Sequence, residues 1–159
     1  MTTLSKIVLS VAANIAATDI SFAQSYSLVP NDTIYMVGMM EDLETLSIQQ
    51  QNITTDTLQL QWQKISESAP LLWEASACDN TICYTILVNS GMMNPIYPSD
   101  YGFLLLHITP HVNYGTAVVC YAVWDIANPA MKDTLTYILT VSATSGIAAT
   151  ENKNAFSIF

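Results

Sequence analysis

Histidine and cysteine are the residues of this chain whose side chains could supply an activity, and they are few. The 159 residues include two histidines and three cysteines. His107 and His111 form an H-x-x-x-H pattern, which on a helix would bring both imidazoles to one face. Pro110 lies between them and the preceding residues have strand character, so an extended chain would separate the two side chains by roughly 13 Å. We therefore expect one histidine at the edge of the core and one in a loop, with no shared metal ion.

Other patterns for catalysis or metal binding are missing from the sequence. There is no G-x-S-x-G elbow, and a blue-copper site would need a histidine after Cys120, where none occurs. The acidic group Glu41, Asp42 and Glu44 could contact calcium. A Ca²⁺ site needs roughly six to eight converging oxygens, and nothing in this spacing makes them converge. The sequence predicts no enzyme and no resident cofactor, and a solvated loop is the simpler interpretation of the acidic group.

The cysteines predict one local disulfide. In "ACDNTICY", Cys78 and Cys83 flank an Asp-Asn turn, so their Cβ atoms can meet across a tight loop. An oxidising compartment would make this pair a disulfide, because no further thiol or histidine nearby supports a metal site. Cys120 is left over inside an apolar run and is expected to be a buried, free thiol.

Charge and hydropathy exclude several classes of partner. The chain has 13 acidic residues against four lysines and a net charge of -9. A nucleic-acid-binding protein needs a basic face to neutralise phosphates, and anionic membrane surfaces are disfavoured for the same reason. No apolar run approaches the roughly eighteen residues needed to span a bilayer, so no transmembrane segment is predicted in the mature chain.

The first residues resemble a secretory signal peptide. Lys6 precedes an apolar run over 7–17, and the small residues Ser21 and Ala23 then stand two apart. This pattern predicts a signal peptide over 1–23 with cleavage after Ala23. The alternative is an N-terminal amphipathic helix that belongs to the folded domain.

Two segments alternate between polar and apolar residues, which predicts strands with one buried face. In "DTLQLQWQKI", Leu58, Leu60 and Trp62 face one way and the glutamines face the other. "DTLTYILTV" repeats the pattern, with Leu135, Tyr137, Leu139 and Val141 on the inward side.

Further apolar runs complete an all-β prediction. "YGFLLLHI" and "GTAVVCYAVWD" are expected to be central strands, while "TIYMVGMM", "LLWEASA" and "YTILV" are shorter candidates. Turn signals rich in Pro, Asn, Asp and Gly separate them, and no helix longer than one turn is expected in the mature domain. About seven short strands with this punctuation predict an antiparallel β-sandwich of immunoglobulin type over 24–142. We expect residues 31–142 to fold alone without metal.

The composition changes after Val141. Residues 143–154 are small and polar and are predicted to be a linker. Residues 155–159, "AFSIF", then bring three large apolar side chains that have no partner of their own, so we expect them to open a second domain.

The C-terminal residues and the predicted sandwich resemble a known family of exported proteins. "AFSIF" after a polar linker is similar to the opening of the C-terminal sorting domain of Bacteroidetes type IX secretion cargo, truncated here. Residues 31–142 resemble the small immunoglobulin-like domain that often precedes that sorting domain. The matching stretches are "LQLQWQKI", "LLWEASACDNTICY" and the run from "YGFLLLHI" to "DTLTY".

The resemblance implies a location and a class of function. It implies export through the periplasm to the outer-membrane surface or the medium, with the type IX secretion machinery as a partner through the missing C-terminal domain. It also implies a non-enzymatic accessory or adhesion module whose partner would be a surface glycan or a protein. Three Asp-Thr-aliphatic triplets are similar to the O-glycosylation motif of Bacteroidetes, with acceptors Thr33, Thr57 and Thr134. The alternative is that each Asp ends a turn and each Thr begins a strand.

An aromatic patch is the alternative basis for function. Trp62 and Trp124 lie on strand faces that should be buried, whereas Trp73, beside Pro70, is expected to be exposed. A carbohydrate-binding module could use Trp73 as a stacking platform, extended by an apolar ligand patch. That patch would comprise Trp73, Met92, Met93, Ile96 and Tyr97.

Overall fold

A computed structural model describes residues 24–143 of the chain as a two-sheet sandwich. The predicted signal peptide, the predicted linker beyond residue 143 and the closing "AFSIF" lie outside the described residues. Within residues 24–143 there are nine strands and no helix. The strands are β1 Tyr26–Val29, β2 Thr33–Val37, β3 Glu44–Asn52, β4 Leu60–Ser68, β5 Glu74–Asp79, β6 Ser90–Met92, β7 Tyr101–Thr109, β8 Gly115–Asp125 and β9 Lys132–Val141.

The strands form one four-stranded and one five-stranded sheet. The first has the order β1-β3-β7-β5 and the second β2-β9-β8-β4-β6. This confirms the predicted immunoglobulin-like β-sandwich, although with nine strands where about seven were expected. The pairing is not wholly antiparallel, because β2 runs parallel to β9. The chain switches sheets between these strands, since β1 pairs with β3 in the four-stranded sheet and β2 pairs with β9 in the five-stranded one.

The strand β3 was missed in the sequence because its inward positions are partly polar. Leu46 and Ile48 point into the core, and Gln50 and Asn52 continue the same inward row. The Gln50 amide donates to the carbonyl oxygen of Ile48 at 2.9 Å, and the Asn52 amide donates to that of Ile96 at 2.9 Å. Hydrogen bonds of this kind let amide side chains occupy buried positions that the sequence pattern reserves for apolar ones.

The predicted strand "YTILV" is wrong. Residues 84–88 form no strand. The preceding residue, Cys83, makes a single β-bridge to its disulfide partner Cys78. Tyr84, Leu87 and Val88 instead cover the core from an irregular segment. An apolar run without strict alternation is compatible with a strand and also with a loop that covers the core. Periodicity alone therefore could not distinguish the two.

The core lies between the sheets, and the alternation predicted for β4 and β9 is confirmed. Leu58, Leu60 and Trp62 are buried, as are all four predicted inward residues of β9. Trp62 is fully buried and meets the rings of Tyr84 and Tyr121 edge-on, with centroids 5.9 Å and 5.4 Å away. Such edge-to-face contacts add to the free energy of burial.

The strands β7 and β8 are buried on one face only, which corrects the prediction for Cys120. Their burial alternates strictly over most of their length, so their outward residues are half-buried. Cys120 is free, as predicted, but it is one of the outward residues and its thiol lies 3.9 Å from the hydroxyl of Thr136. The outward face of a sheet can also carry apolar residues. The apolar run around Cys120 therefore suggested burial although this residue faces outward.

Candidate functional site

The cysteine loop is joined to the core through one buried carboxylate. Cys78 and Cys83 form the predicted disulfide, with Cα atoms 4.0 Å apart. Asp79, between them, accepts a hydrogen bond from the Trp62 indole N–H at 2.8 Å and from two backbone N–H groups of the loop. Tyr84 N–H donates to the carbonyl of Ala77, so the loop folds back against the outer edge of β5. The loop thereby covers an edge that would otherwise expose unpaired backbone groups.

The predicted ligand patch does not assemble as a single surface. Met93 and Ile96 are buried in the core, whereas Met92 and Tyr97 are exposed. Met92 pairs with Gln61 near the start of β4, but Trp73 shares a hollow with Glu67 near its end. Six residues of strand separate these points by roughly 20 Å. The patch prediction is therefore wrong for Met93 and Ile96, and it joined residues from opposite ends of the sandwich.

Trp73 is half-buried, not the exposed platform that the sequence suggested. Its ring packs against the core, and its indole N–H donates to the carbonyl oxygen of Asn113 at 2.8 Å. A sugar-binding tryptophan needs an open ring face on which the sugar can stack. The position of Trp73 disfavours the carbohydrate-binding alternative.

Four exposed apolar residues lie on the two loops that meet beside Trp73. Leu71 and Leu72 stand in the β4–β5 loop, and Val112 and Tyr114 in the β7–β8 loop, with 78%, 59%, 67% and 53% of their surfaces exposed. We call these four residues the apolar tip. Large apolar residues exposed together on a protein surface are typical of interaction sites.

Hydrogen bonds tie the two loops of the apolar tip to each other. The Asn113 amide donates to the carbonyl oxygen of Leu71 at 2.8 Å, while the Trp73 indole bonds back to Asn113. Pro70 packs on Gly115 so closely that a Cβ at Gly115 would lie 2.6 Å from the proline ring. Glycine is therefore required here for the loops to approach, and the tip is a fixed surface.

Leu72 has an unusual backbone conformation. Its φ is 71°, in the left-handed region that favours glycine and asparagine. Holding a large aliphatic residue there costs on the order of 1 kcal/mol or more, and such outliers cluster at functional surfaces. The strain is kept at the position that presents the Leu72 side chain to solvent.

An acidic rim borders the apolar tip. Glu41 in the β2–β3 loop lies 2.9 Å from Nδ1 of His111, and Glu74 lies 3.8 Å from Nε2. The hydrogen bond with Glu41 is the main reason that the pKa of His111 is raised above its ordinary value. Glu41 N–H also donates to the carbonyl oxygen of Pro110 at 2.7 Å. This third loop is thus attached to the side of the tip.

The candidate metal ligands do not converge. Nδ1 of His107 lies 3.0 Å from the Thr45 hydroxyl, on the outward face of the four-stranded sheet, whereas His111 faces the two glutamates. Glu44 accepts a hydrogen bond from Met39 N–H rather than joining Glu41. In the part of the chain that the structure describes, no three His, Cys, Asp or Glu side chains are arranged to hold a metal ion.

The three threonines of the Asp-Thr triplets are exposed and lie toward one end of the sandwich. Thr33 begins β2 and pairs with Thr136, two residues beyond Thr134 in β9. Thr57 lines a hollow with Asp125, whose strand β8 ends beside the start of β9. This is the end opposite the apolar tip.

Sequence reasoning missed the apolar tip, although its residues were visible. Pro70-Leu71-Leu72 and Val112 stand in segments without alternation, next to turn residues. Apolar residues in predicted loops are the signal that could have found the tip. The β4–β5 loop was instead read as the start of a strand.

Comparison with known proteins supports the fold and goes no further. No protein-family model matches the chain, and no curated protein matches it. The N-terminal domain of PorA is similar in structure, with a TM-score of 0.54, 9% identity, 69% of this chain covered and 87% of that one.

Two further structures align more weakly. A PapD-like domain of human CEP192 aligns with a TM-score of 0.43 and 13% identity over 86% of this chain and 96% of that one. A family 123 glycoside hydrolase from Clostridium perfringens aligns at 0.45 and 10% identity, covering 70% of this chain and 23% of the hydrolase. Within residues 24–143, no helix is long and apolar enough to cross a membrane.

Proposed function

We propose that the chain is a non-enzymatic accessory or adhesion module that works outside the cell and docks through its apolar tip. The single observation that carries this proposal is the tip itself. Four large apolar side chains stand exposed on loops that are fastened to one another. Displaying these side chains is unfavourable in water, and a binding surface explains why they are displayed.

The proposed location is the outer-membrane surface or the medium, reached by a type IX-like route. The signal-peptide pattern over 1–23 and the Cys78–Cys83 disulfide support export. The resemblance of residues 155–159 to the start of a sorting domain supports the type IX route. In this proposal residues 143–154 are the linker and residues 24–142 are the module that is carried out.

Export is tested in a Bacteroidetes host that has the type IX machinery, beside a strain that lacks it. The natural gene is expressed in both strains. Intact cells are then treated with a protease or a membrane-impermeant label. We expect labelling only where the machinery is present, and equal labelling of both strains would contradict the proposed route.

The docking role is tested with the same cells. Leu71→Ser combined with Val112→Ser should weaken attachment of the exported protein to cell or host surfaces, while secretion and folding persist. Ile65→Ser combined with Met92→Ser is the control, since these two apolar residues are also more than half exposed but lie outside the tip. Attachment that falls in the control as much as in the tip variant would contradict docking through the tip.

We also propose Thr33, Thr57 and Thr134 as O-glycosylation sites. All three are exposed, and each is preceded by an aspartate. Intact mass of the protein from a Bacteroidetes host, with each threonine changed in turn to valine, tests the assignment. An unmodified mass in the natural protein would contradict it.

A further inference from the structure

We infer that the apolar tip inserts into the interface of a lipid surface whose headgroups are zwitterionic, such as phosphatidylcholine. This inference rests on the proposed docking role of the tip and adds the chemistry of its partner. Three properties of the tip lead to it: the kind of side chain, its protrusion on fixed loops, and the charge around it.

The side chains of the tip are those that lipid accepts best. Three of the four are aliphatic: Leu71, Leu72 and Val112. Protein interfaces instead depend on Trp, Tyr and Arg, with Leu and Val under-represented among the energetically important residues. The tryptophan beside the tip, Trp73, is turned inward and its N–H is already bonded to Asn113. The composition therefore favours an apolar, deformable partner over a protein pocket.

The tip protrudes and is held in place. Leu71 is more exposed than any other large apolar residue among the described residues, and Val112 is second. Side chains this exposed project from the surface into solvent. Tyr114, at about half exposure, adds a ring of the kind that favours the headgroup level of a membrane. Because the loops are tied together, little conformational entropy is lost on insertion.

The charge around the tip selects the headgroup. Glu41 and Glu74 border it beside His111, and the exposed Asp42 follows Glu41 in the chain. A negative surface potential repels such a rim, so anionic lipids should weaken binding. A zwitterionic headgroup carries a quaternary ammonium that the carboxylates attract, while its net charge is zero. The overall charge of -9 acts in the same direction.

The test measures binding of the full chain to vesicles of pure phosphatidylcholine by flotation or by the change in tryptophan fluorescence. We expect saturable binding that weakens when phosphatidylserine is added and partly recovers in high salt. Leu71→Ser combined with Leu72→Gly should lower the affinity by at least about tenfold. Glycine suits the positive φ of Leu72, so this variant keeps the loop conformation and remains folded.

The control is Ile65→Ser combined with Met92→Ser, which removes comparable apolar surface elsewhere and should bind like the natural chain. No binding to phosphatidylcholine, or equal binding by the tip variant, would overturn the inference. Stronger binding to phosphatidylserine vesicles would do the same.

Two other occupants of the tip would be recognised in the same experiments. Self-association that disappears in the tip variant, measured by sedimentation, would assign the tip to a second copy and overturn the lipid partner. If the tip variant loses attachment to cells although the natural chain does not bind vesicles, the tip binds a surface protein or glycan and not lipid. In that last case the proposed docking role stands and only the lipid inference fails, so the two failures are distinguishable.

Discussion

Asp79 shows how one residue connects the core to a surface loop. Its side chain is almost fully buried, yet both oxygens are bonded. One accepts from the Trp62 indole at 2.8 Å and the other from Thr81 N–H at 2.8 Å and Ile82 N–H at 3.0 Å. The sequence marked Asp79 as a turn residue, which it is, but its second role depends on where Trp62 lies in the folded chain.

Replacing Asp79 with alanine should lower the free energy of unfolding by about 2–4 kcal/mol. The change leaves the Trp62 indole N–H and the two loop N–H groups without an acceptor inside the protein, at a cost of roughly 1–3 kcal/mol for each buried group that water cannot reach. Urea unfolding measures the loss. Asp79→Asn keeps an amide oxygen as an acceptor and should lose clearly less. Equal losses in the two variants would show that the hydrogen bonds do not matter.

His111 links three elements at the end that carries the apolar tip. It belongs to the β7–β8 loop and faces Glu41 of the β2–β3 loop and Glu74 at the start of β5. The raised pKa means that the folded chain binds the His111 proton more tightly than the unfolded chain does. The stabilising effect is therefore complete below the ordinary histidine pKa of about 6.5 and is lost as pH rises through the higher folded value.

We expect the attachment of the β2–β3 loop to weaken as pH rises above about 6.5. His111→Gln should remove this pH dependence, and His107→Gln, on the face of the four-stranded sheet, is its control. Amide hydrogen exchange of the β2–β3 loop across this range measures the effect. The account fails if protection of the loop increases with pH in the natural chain.

The disulfide acts on a single element. Its loop spans a sequence separation of only 5 and covers the outer edge of β5. The chain-entropy model gives so short a loop about 2 kcal/mol of stabilisation. Replacing Cys78 and Cys83 together by serine should lower the free energy of unfolding by about that amount while the sandwich still folds. Mass mapping of the unreduced protein should find Cys120 unpaired, and a bridge that contains Cys120 would contradict the assignment.

The folded domain begins N-terminal to residue 31, where the family resemblance begins. Sequence reasoning expected residues 31–142 to fold alone, but β1 at Tyr26–Val29 pairs with β3 and closes one edge of the four-stranded sheet. Tyr26 is buried, and its hydroxyl donates to the carbonyl oxygen of Val123 in the other sheet at 3.1 Å. The strand β1 therefore holds both sheets, and the unit that should fold alone starts at residue 24.

Two truncations compare the ends of this unit. A chain that starts at residue 31 should lose several kcal/mol relative to one that starts at residue 24, since burying a large aromatic side chain is worth about 3–5 kcal/mol. Removing residues 143–159 should change stability by no more than about 0.5 kcal/mol, because every buried apolar side chain of the described part lies between Tyr26 and Val141. Denaturant unfolding decides both. A loss of several kcal/mol from the second truncation would show that "AFSIF" is an integral strand.

The sequence by itself determined the fold class, the alternating strands β4 and β9 and the disulfide. Each depends on residues close together in the chain. The strand follows from the alternation of the apolar residues Leu58, Leu60 and Trp62 with polar ones, and the disulfide follows from two cysteines around a turn. Local signals of this kind survive without knowledge of the fold, because backbone geometry converts spacing directly into position.

Tertiary structure alone decided the rest. The burial of Met93, the outward position of Cys120, the half-burial of Trp73 and the assembly of the apolar tip all depend on pairs distant in sequence. Leu71 meets Asn113 only because β4 and β8 are neighbours in one sheet, which brings the loops at their ends together. An apolar residue in a loop has the same composition whether it faces the core, a neighbouring loop or solvent, and the packing of the two sheets determines which of these it meets.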